Sequence, residues 1–295
     1  MKKNFYPIIV CLLVLGIILD VHVILSQRSQ QAQTLTGSDQ QAGVYNAVTS
    51  TFTYNFSGTT VLQEAGSMQE STSPYWWLNS GGQFMLTNGV GTTVEGALPT
   101  DNKWRILYSR SNPMDTDNGF HPQNIFRFVT KASWQNLQQE AFFRIDADEM
   151  SSSTNRNESN GLLLFNRYQD GANLYYTGIR VDGTAVIKKK TGGVYYTMDY
   201  EPVITDKGVY DRMKNPNLLP EHTWIGLRSV VKTLPDNTVQ IQLYANFDGM
   251  WKLVAQAVDD GHTYGGPVIT TPGHGGIRTD FMDVSFKNYS ISEMK

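Results

Sequence analysis

A histidine, an arginine and a tyrosine are the residues of this chain best suited to acid–base chemistry. His121 and Arg127 lie in the polar segment NGFHPQNIFR, residues 118–127, and Tyr176 lies in a later strand-like segment. A histidine or tyrosine can take a proton from carbon, and an arginine can neutralise a carboxylate next to that carbon. The three residues are candidates for a proton-abstracting site. The alternative is a loop histidine that makes only a structural hydrogen bond.

A second set of polar and aromatic residues could bind sugars. Aromatic rings stack on the C–H faces of sugars, and planar guanidinium and amide groups donate paired hydrogen bonds to hydroxyls or carboxylates. Strand alternation turns such side chains to solvent in several predicted strands. The set comprises Arg144, Tyr176, Arg180, Arg228, Gln242 and Tyr244, together with Trp77, whose neighbour Trp76 would face the core. The alternative is an ordinary solvated sheet face with cross-strand pairs.

Short strands would position these residues. From Tyr45 onward hydrophobic residues recur with period two, and turn formers such as Asp182-Gly183 separate the runs. The pattern predicts an all-β, antiparallel two-sheet β-sandwich. Lys188, Lys189 and Lys190 fall at a hairpin end, where alternation points Lys189 opposite to its neighbours; a solvated turn is expected, with contact to an anionic glycan as the alternative. The predicted strands span residues 51–56, 75–79, 83–87, 103–108, 124–130, 139–147, 161–168, 174–181, 185–189, 194–198, 223–231, 238–246, 251–257 and 281–291.

Several of these segments carry a family resemblance. GLLLFNRYQD (161–170), TWIGLR (223–228), VQIQLY (239–244) and VSFKNY (284–289) resemble strands of concanavalin A-like, laminin-G-type jelly rolls. The resemblance covers roughly residues 120–292. It implies a jelly-roll sandwich and a carbohydrate ligand, in a superfamily that includes lectin domains, protein-binding modules, and polysaccharide hydrolases and lyases.

The resemblance also implies two enzymatic alternatives. A lyase of acidic polysaccharides would use His121, Arg127 and Tyr176. A glucanase of this fold would need a Glu-x-Asp-x-x-Glu run to supply paired carboxylates. Residues 146–149, DADE, depart from that run because Arg144 stands where the first glutamate is needed.

A structural calcium ion is a further implication, because many sandwiches of this superfamily hold one. Asp280 and Asp283 are the candidate ligands, since carboxylate oxygens suit calcium. No other cofactor is expected. Cys11 is the only cysteine, which excludes an intrachain disulfide and a cysteine-based zinc cluster.

Composition limits the remaining classes. The 295 residues carry 24 Lys+Arg and 27 Asp+Glu, a net charge of −3, so nucleic acid is not an expected partner. With 40% hydrophobic and 17% charged residues, the chain is expected to fold.

The N-terminus predicts a location outside the cytoplasm. Residues 1–25 begin with Lys2 and Lys3 and continue as a hydrophobic helix, typical of a signal peptide or an N-terminal membrane anchor. Residues 26–44 are rich in Gln, Ser, Thr and Gly and predict a flexible polar linker, followed by a single sandwich domain over residues 45–295.

Three functions stay open at this point. The first is an extracytoplasmic, lectin-like domain that binds a polysaccharide or other glycan, either tethered to the membrane or secreted. The second is a polysaccharide-cleaving lyase or glycoside hydrolase. The third is a surface adhesin that binds protein, for which a large apolar sheet patch would be expected.

Overall fold

Two antiparallel sheets make up most of the computed structural model, which describes residues 39–294. One α-helix, α1 (Lys103–Ser111), and a 3₁₀ helix (Pro122–Ile125) interrupt the strands. The strands are β1 (Gly43–Asn46), β2 (Thr51–Tyr54), β3 (Thr59–Gln63), β4 (Trp76–Ser80), β5 (Gln83–Thr87), β6 (Val90–Thr92), β7 (Phe126–Trp134), β8 (Leu137–Asp148), β9 (Gly161–Asp170), β10 (Asn173–Arg180), β11 (Thr184–Thr191), β12 (Val194–Pro202), β13 (Ile225–Thr233), β14 (Val239–Asn246), β15 (Lys252–Asp259), β16 (Gly273–Thr279) and β17 (Met282–Glu293).

The strands are divided into a ten-stranded and a seven-stranded sheet. The larger sheet has the order β15-β14-β13-β8-β17-β6-β5-β3, with β2 also paired to β17 and β1 to β2. The smaller sheet has the order β12-β11-β10-β9-β16-β7-β4. The predicted all-β, antiparallel two-sheet sandwich is therefore confirmed. The predicted hydrophobic helix of residues 1–25 lies outside the described residues.

The core lies between the sheets and follows the alternation seen in the sequence. On β8, Ala141, Phe143 and Ile145 are fully buried while the residues between them are partly exposed. On β10, Tyr175 faces the main core and Tyr176 faces the other way. A second, smaller apolar cluster covers the outer face of the seven-stranded sheet and consists of Val129, Leu163, Phe165, Tyr168, Leu174, Tyr176 and Val186.

The predicted strand at residues 103–108 is wrong, because this segment is the helix α1. The Asn102 side chain caps the helix by accepting a hydrogen bond from the backbone N–H of Trp104 (2.8 Å). Trp104 and Tyr108, one helical turn apart, are both buried and pack with Val94 and Leu98. In a window of six residues, the positions of the apolar residues fit both the two-residue period of a strand and the 3.6-residue period of a helix. The Asn102 cap is the local feature that favours the helix.

The sandwich takes up the last residues of the segment expected to be linker. Asp39 is buried and accepts hydrogen bonds from the hydroxyls of Tyr54 (2.8 Å) and Ser73 (2.6 Å). Ala42 is also buried, and β1 begins at Gly43. Within residues 39–294, no helix has the length and apolar character needed to span a membrane.

Candidate functional site

A groove of about 450 Å³ lies on the outer face of the seven-stranded sheet. Leu163, Tyr176 and Val186, all from the second apolar cluster, lie on neighbouring strands and line it. The remaining lining residues are Asp115, Ile125, Arg127, Asn155, Asn157, Ser159, Asn160, Lys188, Tyr195, Arg278, Asp280 and Phe281. The groove therefore has an apolar and aromatic floor with a polar, partly charged rim.

Two stacked tyrosines form the aromatic part of the groove. The rings of Tyr176 and Tyr195 have centroids 5.9 Å apart and an interplanar angle of 25°. Arg278 donates to the Tyr176 hydroxyl (3.2 Å), and the Lys190 ammonium lies 4.5 Å from the Tyr195 ring centroid. Tyr176 is 5% exposed, whereas Tyr195 is 50% exposed and offers its ring to a ligand.

The pKa values of the two tyrosines are moved in opposite directions. Burial raises the pKa of Tyr176, and this effect exceeds the opposing charge of Arg278. Burial also acts to raise the pKa of Tyr195, but its hydrogen bond with Tyr176 and the charges of Arg278 and Lys190 outweigh burial and lower it to about 8. Tyr195 is thus a phenol that can lose its proton near neutral pH.

Hydrogen bonds fix the polar wall of the groove, residues 155–160, and the segment that leads into it. Asp115 accepts from the Ser153 hydroxyl (2.5 Å) and the Asn155 amide (3.0 Å). The Arg156 guanidinium donates to the backbone carbonyl of Ser151 (2.7 Å). A wall held in this way presents its amide and hydroxyl groups without a further ordering cost on binding.

Cations line the groove on several strands. Arg278 forms an ion pair with Asp280 (2.9 Å). Arg127 on β7 lies directly opposite Arg278 on β16. Lys188 on β11 lies directly opposite Tyr176 on β10. Burial, followed by the charges of Arg180 and Arg278, lowers the pKa of Lys188.

The structure brings together two of the three predicted acid–base residues. Arg127 and Tyr176 both line the groove. His121 does not line it; its Nδ1 lies 3.0 Å from the Glu149 carboxylate, and this hydrogen bond raises the pKa of His121. The prediction that the three residues share one site is therefore wrong for His121, which follows β6 and α1 in a loop outside the sheet.

The predicted sugar-binding set is divided between the two sheets. Arg144, Arg228, Gln242 and Tyr244 lie on β8, β13 and β14 of the ten-stranded sheet, whereas Tyr176 and Arg180 lie on β10 of the other sheet. The expectation of one shared surface is wrong, because alternation gives the side of a strand but not the sheet to which the strand belongs.

On the ten-stranded sheet, the predicted arginines already have partners. Arg144 forms an ion pair with Asp146 (2.6 Å) and lies over the Trp224 ring (5.2 Å). Arg228 forms an ion pair with Glu140 (2.8 Å) and lies over the Trp251 ring (4.1 Å). These contacts pair the charge of each arginine and place its guanidinium over one tryptophan ring.

Arg180 and Trp77 lie on the seven-stranded sheet but do not line the groove. Arg180 is paired with Asp182 (2.9 Å) and stacks on Tyr200 (4.8 Å). Trp76 is buried in the core, as expected, and Trp77 faces out, where its indole N–H donates to the carbonyl of Ala65 (2.8 Å).

The two predicted calcium ligands do not fit a calcium site. Both oxygens of Asp280 accept from the Nε of Arg278 (2.9 Å each). Asp283 accepts from the backbone N–H of Gly96 (2.7 Å) and from the Gln123 amide (2.8 Å), and burial raises its pKa to about 6. Within residues 39–294, no three His, Cys, Asp or Glu side chains are grouped to share an ion.

Sequence reasoning missed Tyr195, Arg278 and the wall residues 155–160. Tyr195 follows the turn Thr191-Gly192-Gly193, which closes the hairpin of β11 and β12. In that hairpin, Tyr195 is the register partner of Lys190, and this pairing is a signal that the sequence contains.

A carboxylate pair beside the groove makes stability depend on pH. Burial and then the charge of Glu221 raise the pKa of Asp148 to about 7. The folded state keeps a proton that the unfolded chain releases above about pH 4, so the free energy of unfolding falls as pH rises from about 4 to 7. We expect Asp148→Asn to reduce the stability loss between pH 5 and pH 8 by about 1–2 kcal/mol after solvent screening. Urea unfolding at pH 5 and pH 8 measures the stability loss of both proteins. An equal loss in Asp148→Asn and the unmodified protein would contradict the raised pKa of Asp148.

Known structures with similar folds were found by comparison, all at low similarity. A carbohydrate binding module CBM66 from Bacillus subtilis is 13% identical with a TM-score of 0.39, over 57% of this chain and 82% of that one. A protein of unknown function with a galectin-like fold from Bacillus subtilis is 12% identical with a TM-score of 0.42, over 74% and 88%. A Bacillus licheniformis beta-glucanase is 11% identical with a TM-score of 0.39, over 81% and 99%.

At TM-scores of 0.39 to 0.42, these neighbours carry no argument about the superfamily or the ligand of this chain. No family model and no curated protein matches the sequence.

Proposed function

We propose that this chain is a glycan-recognition domain and that the groove of the seven-stranded sheet is its binding site. The observation that carries the proposal is the half-exposed ring of Tyr195, stacked on Tyr176 inside a groove with an ordered amide wall. A ring face beside fixed hydrogen-bonding groups suits a sugar, which has apolar C–H faces and a polar edge. The volume of about 450 Å³ is within the range of small-ligand clefts.

The place of action proposed here is outside the cytoplasm. This part of the proposal rests on the sequence of residues 1–25, a basic start followed by a hydrophobic run. The domain would be tethered to the membrane by that segment or secreted after its removal.

Removal of the Tyr195 ring is expected to weaken glycan binding about 10- to 30-fold. The variant Tyr195→Ala removes the exposed stacking surface at a residue that is 50% exposed and belongs to neither apolar cluster. Affinity electrophoresis in gels that contain alginate, polygalacturonate, hyaluronan, xylan or mixed-linkage β-glucan would measure retardation.

Tyr45→Ala is the matched control, because Tyr45 is 49% exposed and lies on β1, which belongs to the other sheet. It should migrate like the unmodified protein in every gel. Equal loss of retardation in both variants, or none in Tyr195→Ala, would count against the groove.

Cleavage of an acidic glycan is a second candidate, favoured by the pKa of about 8 at Tyr195. A Tyr195 phenolate would take the proton on the carbon next to a uronate carboxylate. The electron pair left on that carbon would form a C=C bond as the C–O bond to the leaving sugar breaks, and that oxygen would take up a proton. The Lys190 ammonium, 4.5 Å from the Tyr195 ring centroid, would neutralise the carboxylate.

Tyr195→Phe separates the two candidates, because it keeps the ring and removes the ionisable hydroxyl. Ultraviolet absorbance of the unsaturated product would follow cleavage of alginate, polygalacturonate and hyaluronan. Cleavage that Tyr195→Phe abolishes while retardation persists would establish the lyase. Retardation without product in the unmodified protein would leave recognition as the function.

A further inference from the structure

Arg127 and Lys188 differ from Arg278, Asp280 and Asp115, the other charged residues of the groove, in their side-chain contacts. Within residues 39–294, neither side chain makes an ion pair or a side-chain hydrogen bond. Both are partly buried, so each gives up hydration without gaining a side-chain hydrogen bond or ion pair. Arg127 also lies directly opposite Arg278, and like charges at opposed positions of a sheet destabilise it.

Among residues 39–294, three cations and two carboxylates line the groove, so the carboxylates balance the cations only in part. Arg278 and Asp280 neutralise each other in their ion pair. Asp115 is the one further carboxylate of the lining, and neutral groups, the Ser153 hydroxyl and the Asn155 amide, occupy one of its oxygens. The groove thus has a local excess of positive charge on a chain whose net charge is −3.

The two cations come from strands that are not neighbours in the seven-stranded sheet. Arg127 is on β7 and Lys188 on β11, and β16, β9 and β10 lie between them. Four strand spacings correspond to about 19 Å between the backbones. A sugar chain laid across these strands would bring successive acidic units to the two side chains.

We infer that the groove binds a polyanionic sugar chain, whose separate carboxylate or sulfate groups contact Arg127 and Lys188. This inference rests on the proposed glycan-recognition function and specifies its ligand class. The guanidinium of Arg127 would hold a carboxylate or sulfate by two parallel hydrogen bonds, and Lys188 would act as a point charge. The sugar rings between them would lie over the tyrosine pair.

Matched polysaccharides test the charge requirement. The acidic probes are polygalacturonate, alginate, hyaluronan and dextran sulfate; the neutral probes are methyl-esterified polygalacturonate, dextran, xylan and mixed-linkage β-glucan. We expect retention by at least one acidic probe and by none of the four neutral probes. Carboxylated and sulfated probes distinguish the two anions. A length series of the retained sugar should bind more strongly once it spans both cations.

A pair of double variants locates the binding. Arg127→Gln/Lys188→Gln should weaken retention of the acidic probe about 10- to 100-fold, because two charge-assisted contacts are lost. Arg144→Gln/Lys287→Gln removes the same charge from the outer face of the ten-stranded sheet, where both side chains lie over Trp224. It should bind within about twofold of the unmodified protein. Thermal unfolding and far-ultraviolet circular dichroism would verify that both variants are folded.

The outcomes separate the inference from the function on which it rests. One result would be that the protein retains neutral and acidic probes alike and loses this retention in Tyr195→Ala but not in Arg127→Gln/Lys188→Gln. That result would overturn the inference of a polyanionic ligand and support the glycan-recognition function. Loss of retention in Arg144→Gln/Lys287→Gln alone would overturn the assignment of the groove as the binding site. Retention of none of the eight probes would overturn both proposals.

Discussion

Replacing Lys189 by methionine is expected to lower the free energy of unfolding by about 3–5 kcal/mol. The Lys189 ammonium is fully buried, lies 2.8 Å from Asp259 and donates to the carbonyl of Gly266 (2.8 Å). Tyr175 donates to the other oxygen of Asp259 (2.6 Å). Lys189 and Tyr175 belong to the seven-stranded sheet and Asp259 to the ten-stranded sheet, so the cluster joins the two sheets.

The large effect arises because the variant leaves the Asp259 carboxylate buried without its counterion. Lys189→Met/Asp259→Leu removes both charges, and we expect it to be less destabilised than Lys189→Met. Lys190→Met is the control one position along β11, where the side chain is only partly buried, and should change stability by less than about 1 kcal/mol. Urea unfolding measures all three. A Lys189→Met variant as stable as Lys190→Met would refute the buried pair.

Replacing Arg167 by methionine is expected to cost about 3–5 kcal/mol of unfolding free energy. Arg167 is fully buried, and no carboxylate within residues 39–294 forms an ion pair with it. Its guanidinium donates to the carbonyls of Gln135 (2.6 Å) and Ile269 (2.7 Å) and to the hydroxyl of Thr233 (2.7 Å). Methionine would leave these buried acceptors without donors.

A lysine at position 167 keeps the charge but cannot reproduce the planar fork of donors. We therefore expect Arg167→Lys to be destabilised as well, by about 2–3 kcal/mol, measured by the same urea titration. Arg212→Met is the control, since that arginine donates to the carbonyls of Ser152 and Ser153 at a partly exposed site. Equal losses of unfolding free energy in Arg167→Met and Arg212→Met would contradict a large contribution of the buried Arg167 hydrogen bonds to stability.

The period-two pattern was sufficient to predict the sandwich, because burial on one side of a strand is a local property. It placed Tyr175 in the core and Tyr176 outside, and it turned Lys189 away from Lys188 and Lys190. It did not predict the buried partner of Lys189, which lies 70 positions further along the chain.

A local bulge is beyond the reach of alternation. Arg167 has a positive φ of 48°, and the pairing of β9 with β16 shifts register between His274 and Gly276. Such an irregularity redirects a side chain, here into the interior, where simple alternation would not place an arginine.

The candidate site was only partly predictable, because a groove depends on which strands become neighbours. Arg127 and Tyr176 were predicted as functional residues, and both line the groove. Arg144, Arg228 and Tyr244 share their residue types but lie on the other sheet. Residue type and side can be read along one strand, whereas the order of strands in a sheet is set by contacts far apart in the sequence.

Hydrogen–deuterium exchange with and without a retained polysaccharide would test the central proposal, that the groove of the seven-stranded sheet binds a glycan. We predict slower exchange in residues 155–160 and in the hairpin of β11 and β12, with no change in β13 and β14. Protection confined to β8, β13 and β14 of the ten-stranded sheet would contradict it.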